Sequence, residues 1–358
     1  MTEKVLKAAI VGTGGIAAKH AESLHKLPDA VELVAATDLD ADRLAKFCAD
    51  KRIPRSHPSL QEMLEHEDLD LVQLCTPPGV HAEQALLCLR AGASVICEKP
   101  PTLSLAEFDR IAQAEKETGK HFVSIFQHRY GTAATAVKKL IDQQTLGRPL
   151  VSVCNTLWYR SAKYYQVEWR GKWETEGGGP TLGHGIHQLD LYGHLLGDWR
   201  DISARAVTLE REIAVEDVSL ATISFENGGV GAIINSVLSP REVSYLRFDF
   251  TDGTLEVEHL YGHAVPNWRF TPAPHAADRA IWPPDEADVP SHHGVQIAET
   301  VEDLRNGRRP AVTGPGLRRT MEIVTGLYAS AFTGHTVARE ELGPDNPFYH
   351  SLNGKPKA

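Results

Sequence analysis

The sequence predicts an α/β fold with two domains, and three observations carry that prediction. Residues 7–38 run through a strand, a glycine-rich turn, a helix and a second strand that ends in an acid. Strand and helix patterns then keep alternating to about residue 126, as in a doubly wound parallel sheet. The length of 358 residues exceeds the roughly 250–300 residues at which single cores stop growing. We therefore expect two domains, with the boundary between them after residue 127.

The first strand–turn–helix–strand unit predicts a dinucleotide site. The turn Gly12-Thr13-Gly14-Gly15-Ile16-Ala17 fits G-x-G-x-x-A. Gly12 permits a tight turn, Gly14 lets the backbone approach a pyrophosphate, and Ala17 lets the helix pack against the strand. The helix N-terminus then faces the phosphates. Gly12, Gly14, Gly15, Ile16 and Ala17 are accordingly predicted to bind the cofactor.

Asp38, which ends the second strand, predicts the cofactor that is preferred. A carboxylate there accepts hydrogen bonds from the ribose hydroxyls and repels a 2′-phosphate. The next residues, Leu39-Asp40, offer no arginine to bind such a phosphate. We therefore expect NAD, with NADP less favoured.

The other strands of this half end in residues that also fit a cofactor site. Ligands of open parallel sheets bind beyond the carboxyl ends of the strands. The apolar runs at 69–76, 93–97 and 122–126 read as strands, and polar residues follow each of them. The further cofactor-binding candidates at or near these ends are Thr76, Pro77, His81, Glu98 and Gln127.

The stretch Gly177 to Gly197, GGGPTLGHGIHQLDLYGHLLG, predicts a single helix that begins at Pro180 and ends before Gly197. An apolar stripe at helical spacing adjoins a face that carries Gly183, His187, Asp190 and His194. Two interpretations fit this pattern. The helix is a core element with hydrogen-bonded histidines, or it turns a general base toward a ligand.

Composition and charge exclude several classes of protein. The net charge of −10 disfavours nucleic acid or an anionic membrane as a partner. Apolar runs are too short to span a bilayer, and the start lacks a signal-peptide pattern. The five cysteines form no CxxC, which indicates reduced thiols in a cytoplasmic protein. The 17 histidines contain no HExxH, and we expect no metal site.

Four motifs in order, GTGGIA, CTPPGVH, CEKPP and GGGPTLGHGIHQLD, resemble the glucose-fructose oxidoreductase / inositol dehydrogenase (Gfo/Idh/MocA) family. The tail RNGRRPAVTGPGLRRTMEIVTGLYASAFTGHTV agrees. The resemblance implies a dinucleotide-binding Rossmann domain over residues 1–127. It also implies a substrate-binding and oligomerisation α/β domain over residues 128–358, with a large, open, mostly antiparallel sheet. Strand-like runs between Leu150 and Glu258 fit that sheet, whereas Ala264 to Pro290 reads as irregular. An open sheet face predicts a homodimer or homotetramer.

The resemblance also implies the chemistry, which is NAD(P)-dependent hydride transfer to or from a hydroxyl or carbonyl of a sugar, polyol or sugar derivative. By position, Lys99 and His187 share the roles of oxygen donor and proton acceptor. The family often has an acid four residues before this histidine, and this chain has Gly183 instead. His187 then works unaided, another group orients it, or the base lies elsewhere.

The substrate-binding candidates come from two stretches. The helix offers Asp190, at a position that binds substrate hydroxyls in the family, and His184. Aromatic faces that stack on sugars and a cation that binds hydroxyls or an acid indicate Tyr164, Trp169 and Arg170. Two alternatives stay open, namely a non-catalytic dinucleotide-binding sensor or regulator, and a redox-cycling sugar hydrolase or epimerase with bound NAD.

Overall fold

The computed structural model of the protein describes residues 4–279 and 281–355. The strands are β1 Leu6–Val11, β2 Val31–Thr37, β3 Arg55–His57, β4 Leu71–Leu74, β5 Ser94–Cys97, β6 Phe122–Ser124, β7 Pro149–Tyr159, β8 Trp199–Val207, β9 Val218–Phe225, β10 Val230–Ser236, β11 Leu238–Phe250, β12 Gly253–Glu258, β13 Trp268–Pro272 and β14 Val337–Ala338. The α-helices are α1 Ala17–His25, α2 Ala41–Lys51, α3 Leu60–His66, α4 His81–Arg90, α5 Leu105–Thr118, α6 Thr132–Asp142, α7 Pro180–Gly183, α8 Ile186–Leu196, α9 His293–Arg305, α10 Gly314–Thr333 and α11 Pro347–His350. None of the helices in these ranges is long and apolar enough to cross a membrane.

The chain divides into two compact units. Unit 1 comprises the residues up to Thr102 together with Glu107–Ile125 and His293–Leu317, and unit 2 comprises the rest. The division that we expected after residue 127 falls after Ile125, and it is corrected in two further respects. Leu103–Ala106 belong to unit 2, and the chain returns to unit 1 over His293–Leu317. The physical reason is that α9 packs against α1, a contact that local sequence patterns do not reveal.

Unit 1 contains the predicted parallel sheet, in the strand order β3-β2-β1-β4-β5-β6. Every neighbouring pair is parallel. The residues of β4 and β5 are all buried, which explains their nearly continuous apolar sequences. Only β3, a short and largely exposed edge strand, was absent from the sequence prediction.

Unit 2 contains an eight-stranded sheet in the order β13-β12-β11-β7-β10-β9-β8-β14. It is antiparallel except for the pair β10–β7. The turn at Asn227-Gly228 joins β9 to β10, and Gly228 has a φ of +88°, which favours glycine. The stretch from Ala264 to Pro290 is not wholly irregular as predicted, because it contributes β13.

The helix predicted from Pro180 to Gly197 is interrupted, and this is a correction. It ends as α7 at Gly183, and α8 begins at Ile186. The N–H of Gly185 donates to the carbonyl of Pro180 at 2.7 Å, one residue beyond regular α-helical spacing. A Cβ at Gly185 would lie 2.1 Å from Asn235 Oδ1. The break therefore lets the backbone approach β10 closely, which requires a partner distant in sequence.

Candidate active site

The glycine turn of unit 1 has one closed side and one open side. Gly12 has a φ of +84°, and a Cβ there would lie 2.9–3.0 Å from atoms of Thr76 and Cys75. At Gly14 and Gly15 a Cβ would meet nothing within 4 Å. Helix α1 then begins at Ala17 without a side-chain cap, and the positive end of its dipole favours an anion beside the turn. The turn fits a pyrophosphate.

Asp38 stands beside this turn and is held by several donors. Its carboxylate accepts hydrogen bonds from the Thr13 N–H at 2.6 Å, the Thr13 hydroxyl at 2.8 Å and the Asp40 N–H at 2.9 Å. Arg43 adds two more, at 2.6 and 3.2 Å. Burial opposes ionisation, but these hydrogen bonds outweigh it and hold the pKa of Asp38 well below its usual range.

Arg43 is a residue that the sequence analysis missed. It is the third residue of α2, whose N-cap is Asp40. This places its guanidinium within hydrogen-bond distance of Asp38, whereas the prediction of NAD rested on Leu39-Asp40 alone. The signal existed, since an N-cap at Asp40 implies that Arg43 lies in the first helical turn.

The end of β4 presents an accessible loop and a buried histidine. Thr76 is half-buried and Pro77 is exposed, so both can meet a ligand. His81 is fully buried, and its ring nitrogens lie 2.8 Å from the carbonyls of Thr76 and Pro100. His81 therefore joins two strand-end loops, and direct contact between His81 and the cofactor stays a prediction.

The ends of β5 and β6 present a carboxylate and an amide. Glu98 is 7% exposed, and its Oε2 accepts the backbone N–H of Lys99 at 3.2 Å. Lys99 itself is half-buried. Gln127, in unit 2, is fully buried, and neither polar atom of its amide has a hydrogen-bond partner among the described residues. Because buried amides are normally paired, an unpaired one fits a group that binds a ligand or water.

His187 is the second residue of α8, 4% exposed and enclosed by rings of unit 2. The ring of His128 stacks on it at 5.4 Å between centroids. Tyr261 and Phe126 meet it edge-on at 5.5 and 6.4 Å. Its imidazole is therefore held by ring packing. His128 and Tyr261 escaped the sequence analysis, because they belong to a different segment from His187 and match no motif.

The space beside Gly183 is faced by an acid from elsewhere in unit 2. A Cβ at Gly183 would meet only Glu176 Oε1, at 3.7 Å. Glu176 is buried, and it accepts the Gly171 N–H at 2.6 Å and an Arg170 N–H at 3.3 Å. A carboxylate is thus present near position 183, although the chain supplies it from position 176.

Four of the five predicted substrate residues lie together. The ring nitrogen Nε2 of His184 accepts an N–H from Arg160 at 3.2 Å and lies 3.3 Å from the Tyr164 hydroxyl. The guanidinium of Arg170 covers the rings of Tyr164 and Trp169 at 3.9 and 4.3 Å, and it also hydrogen-bonds the Tyr164 hydroxyl. Tyr164, Trp169 and Arg170 are half-buried, so they form a partly exposed aromatic and cationic surface.

The fifth, Asp190, is engaged inside unit 2. It is fully buried and accepts two hydrogen bonds from Arg129, at 2.7 and 2.5 Å, and one from Thr320 at 2.7 Å. Burial raises its pKa, although Arg129 and Thr320 oppose the shift. The structure gives Asp190 a role in fixing Arg129, and contact with a substrate stays a prediction.

A doubly wound parallel sheet, a glycine turn open to a ligand and an acid after β2 define a dinucleotide-binding α/β protein. The chain belongs to the GFO/IDH/MocA oxidoreductase family. Residues 6–126 match the family's NAD-binding Rossmann fold, and residues 134–256 match its C-terminal domain. The protein is therefore an NAD(P)-dependent oxidoreductase, as the resemblance implied.

Characterised relatives cover most of the chain. A D-apiose dehydrogenase of Paraburkholderia graminis is 27% identical over 97% of this chain and 93% of its own length. A D-glucoside 3-dehydrogenase of Escherichia coli is 29% identical over 73% of this chain and 80% of its own. The WlbA dehydrogenase of Chromobacterium violaceum, solved with NADH and UDP-GlcNAcA, superposes with a TM-score of 0.83 at 27% identity. That superposition covers 94% of this chain and 97% of the WlbA chain.

Proposed function

We propose that the protein is an NAD-dependent dehydrogenase or reductase of a sugar, polyol or sugar derivative. The observation that carries this proposal is the buried, ring-packed imidazole of His187, in a chain that also keeps Lys99 at the end of β5. A protein that only sensed the cofactor would have no need of a positioned proton acceptor.

The residues divide the chemistry between them. When bound, the cofactor supplies a nicotinamide carbon that accepts or donates the hydride. In the oxidation direction His187 takes the hydroxyl proton, and the Lys99 ammonium donates a hydrogen bond to the oxygen on which charge develops. In the reduction direction the same two residues return the proton and polarise the carbonyl.

Cofactor preference is assigned to NAD on the strength of Asp38. Its carboxylate is ionised and stands beside the open glycine turn, where it attracts ribose hydroxyls and repels a phosphate. Arg43 complicates this preference, because a guanidinium binds phosphate well. In this chain, however, Arg43 is already paired with Asp38.

The substrate class follows from the surface formed by Tyr164, Trp169, Arg170 and His184. Flat aromatic rings pack against the C–H faces of sugars, and Arg and His side chains hydrogen-bond hydroxyls or an acid group. The relatives act on sugars by their names, which include D-apiose and D-glucosides. A sugar or sugar acid fits this surface better than a wholly apolar alcohol.

The test is a panel of aldoses, glycosides, cyclitols and uronic acids, each incubated with NAD and then with NADP. Absorbance of the reduced nicotinamide reports net oxidation, and chromatography reports product. Net reduction of NAD with a sugar supports the proposal. Product without net reduction indicates redox cycling, and tight NAD binding with no product from any compound indicates a sensor.

We also propose that the protein forms a homodimer or homotetramer, with the exposed face of the unit 2 sheet as the interface between subunits. Val151 and Val230 lie side by side on β7 and β10 and are about half exposed, at 51% and 49%. Leu220 and Tyr159 are each 44% exposed on neighbouring strands. An apolar sheet face of this kind is typical of an interface. A monomeric mass by light scattering at high concentration would contradict the assignment.

A further inference from the structure

One carboxylate in unit 1 joins three structural elements. Glu98, at the end of β5, directs Oε1 at His20 Nε2, 2.9 Å away on α1, and at His293 Nε2, 3.2 Å away at the start of α9. Its Oε2 accepts the N–H of Lys99 at 3.2 Å. The three side chains are 9% exposed or less. A single buried carboxylate therefore connects both helices to the backbone of the lysine.

The protonation states of His20 and Glu98 stabilise this cluster. His20 Nδ1 also hydrogen-bonds Gln73 Oε1, so both ring nitrogens face acceptors and an imidazolium satisfies both. Burial lowers the pKa of His20, but Cys75 and Glu98 outweigh it and raise that pKa well above its ordinary value. Burial likewise opposes ionisation of Glu98, and His20 and His293 hold its pKa well below the usual range. The result is a buried ion pair, which is costly to break.

The backbone around Lys99 is thus held on both sides. Its own N–H is bound to Glu98, and the carbonyl of the next residue, Pro100, lies 2.8 Å from a ring nitrogen of the buried His81. A lysine side chain has four rotatable bonds and little preorganisation of its own. The position of the Lys99 backbone therefore decides where its ammonium group can lie. A displacement of about 1 Å at a reacting group can lower the rate by about 10²-fold.

We infer that His20, Glu98 and His293 act as a positioning clamp for Lys99, with His293 as the member supplied by the returning segment of the chain. The inference rests on the proposed role of Lys99. It adds His20 and His293, which are not among the predicted cofactor or substrate residues, and it gives Glu98, a predicted cofactor residue, a further task at the lysine backbone.

A metal ion is the rival interpretation, because one ligand atom from each of the three side chains lies within 4.8 Å of the others. Zinc bonds of about 2.0–2.1 Å in tetrahedral geometry hold neighbouring ligand atoms about 3.3 Å apart. The separation of 2.9 Å between His20 and Glu98 is instead that of a hydrogen bond. The geometry favours the clamp, and bound metal becomes an outcome of the test.

The experiment compares three variants of the full chain. His293→Ala removes one donor of the clamp, and His293→Gln keeps an N–H near the same position. Ile297→Val, at a fully buried position on the same helix, removes one methyl group from the packing and leaves all three clamp side chains unchanged. For each we measure NAD affinity, melting temperature, metal content and the pH dependence of Lys99 reductive methylation by mass spectrometry. Turnover is measured with the fastest substrate of the sugar panel.

The clamp predicts that His293→Ala lowers kcat by about 10–100-fold and changes the rate and pH profile of Lys99 methylation, with NAD affinity nearly unchanged. His293→Gln should restore most of the kcat and most of the methylation profile. Ile297→Val should change neither kcat nor the methylation profile, even where it lowers the melting temperature by a comparable amount. The inference is overturned if Ile297→Val acts as strongly, if His293→Ala alters nothing, or if one equivalent of metal copurifies and is lost in His293→Ala. Lys99→Ala, run in parallel, separates the claims, because full turnover in that variant removes the proposed role of Lys99 itself.

Discussion

Two Asp–Arg ion pairs, one in each unit, consist of the same residue types but differ in how far they are exposed. In unit 1, Asp38 pairs with Arg43, whose side chain is 51% exposed. In unit 2, Asp190 pairs with Arg129, which is 7% exposed. Both acids were predicted from sequence to bind hydroxyls of a ligand. Arg43 can leave its partner and be replaced by water or ribose at little cost, whereas Arg129 would remain charged in a buried site.

The pKa values of Asp38 and Asp190 shift in opposite directions, because the balance between burial and hydrogen bonding differs at the two acids. Burial works against ionisation at both. At Asp38, hydrogen bonds from Arg43, Asp40 and Thr13 prevail and lower the pKa. At Asp190, full burial prevails and raises it. A carboxylate can bind a ligand when its protein partner can move away from it. The exposed fraction of the paired arginine indicates this better than the position of the acid in the sequence does.

Breaking the buried pair should have the largest effect on stability. Asp190→Asn removes the buried negative charge that faces the Arg129 guanidinium, and we expect the free energy of unfolding to fall by about 3–5 kcal/mol. Thr320→Val keeps the pair and removes one hydrogen bond, for about 1 kcal/mol. Urea unfolding of both variants measures the difference. An Asp190→Asn variant of normal stability and impaired turnover would instead make Asp190 a substrate ligand.

Breaking the exposed pair should alter cofactor choice and leave stability nearly intact. Asp38→Ser removes the acceptor of the ribose hydroxyls and releases Arg43, so NAD affinity should fall by about 10–100-fold. NADP affinity should rise, because the freed guanidinium can bind the 2′-phosphate. Calorimetric titration with both cofactors measures this. Unchanged NAD affinity would show that Asp38 does not contact the ribose.

The fixed charge of Arg129 should also be visible in the acid stability of unit 2. Burial, with the positive charges of Arg129, Lys138 and Arg319, lowers the pKa of His194 to about 3. Below about pH 6.5 the unfolded chain takes up a proton that the folded chain refuses, so stability falls as the pH drops toward 3. His194→Gln should flatten this dependence by up to about 1 kcal/mol per pH unit. If the denaturation midpoints of the unchanged protein and of His194→Gln decrease equally between pH 7 and pH 5, the account is contradicted.

The smallest effect should come from Arg43 alone. Arg43→Ala leaves Asp38 ionised through Thr13 and Asp40, so NAD affinity should change by less than about threefold, in line with the small net worth of exposed ion pairs. In the Asp38→Ser background the same substitution should abolish the gain in NADP affinity. Titration of the double variant tests this directly, and a retained gain would mean that another group binds the phosphate.

Local patterns were sufficient for most of unit 1. The glycine turn, the alternation of strands and helices, and the acid after β2 are each encoded within about 30 residues, which is the span of one βαβ unit. Arg43 was within reach of the same reasoning, given the N-cap at Asp40. What such patterns could not supply was His293, because its partner Glu98 precedes it by 195 residues.

Unit 2 was harder to predict because its site depends on contacts between distant segments. The helix break at His184 and Gly185 exists because β10 brings Asn235 against the backbone. The ring packing around His187 needs Tyr261, and the acid beside Gly183 comes from Glu176. The family resemblance supplied the residues to which the chemistry is assigned, but the partners that surround them follow only from tertiary structure.

The central claim is that Lys99 and His187 perform the proton chemistry while Gly12, Gly14 and Asp38 hold NAD. The most direct measurement is NAD affinity and turnover on the same preparations of Lys99→Ala and His187→Ala, with the fastest substrate of the sugar panel. The account predicts nearly unchanged affinity and turnover lowered by about 10²–10⁴-fold in each variant. Full turnover in His187→Ala, with none in Lys99→Ala, would contradict it and place the base elsewhere.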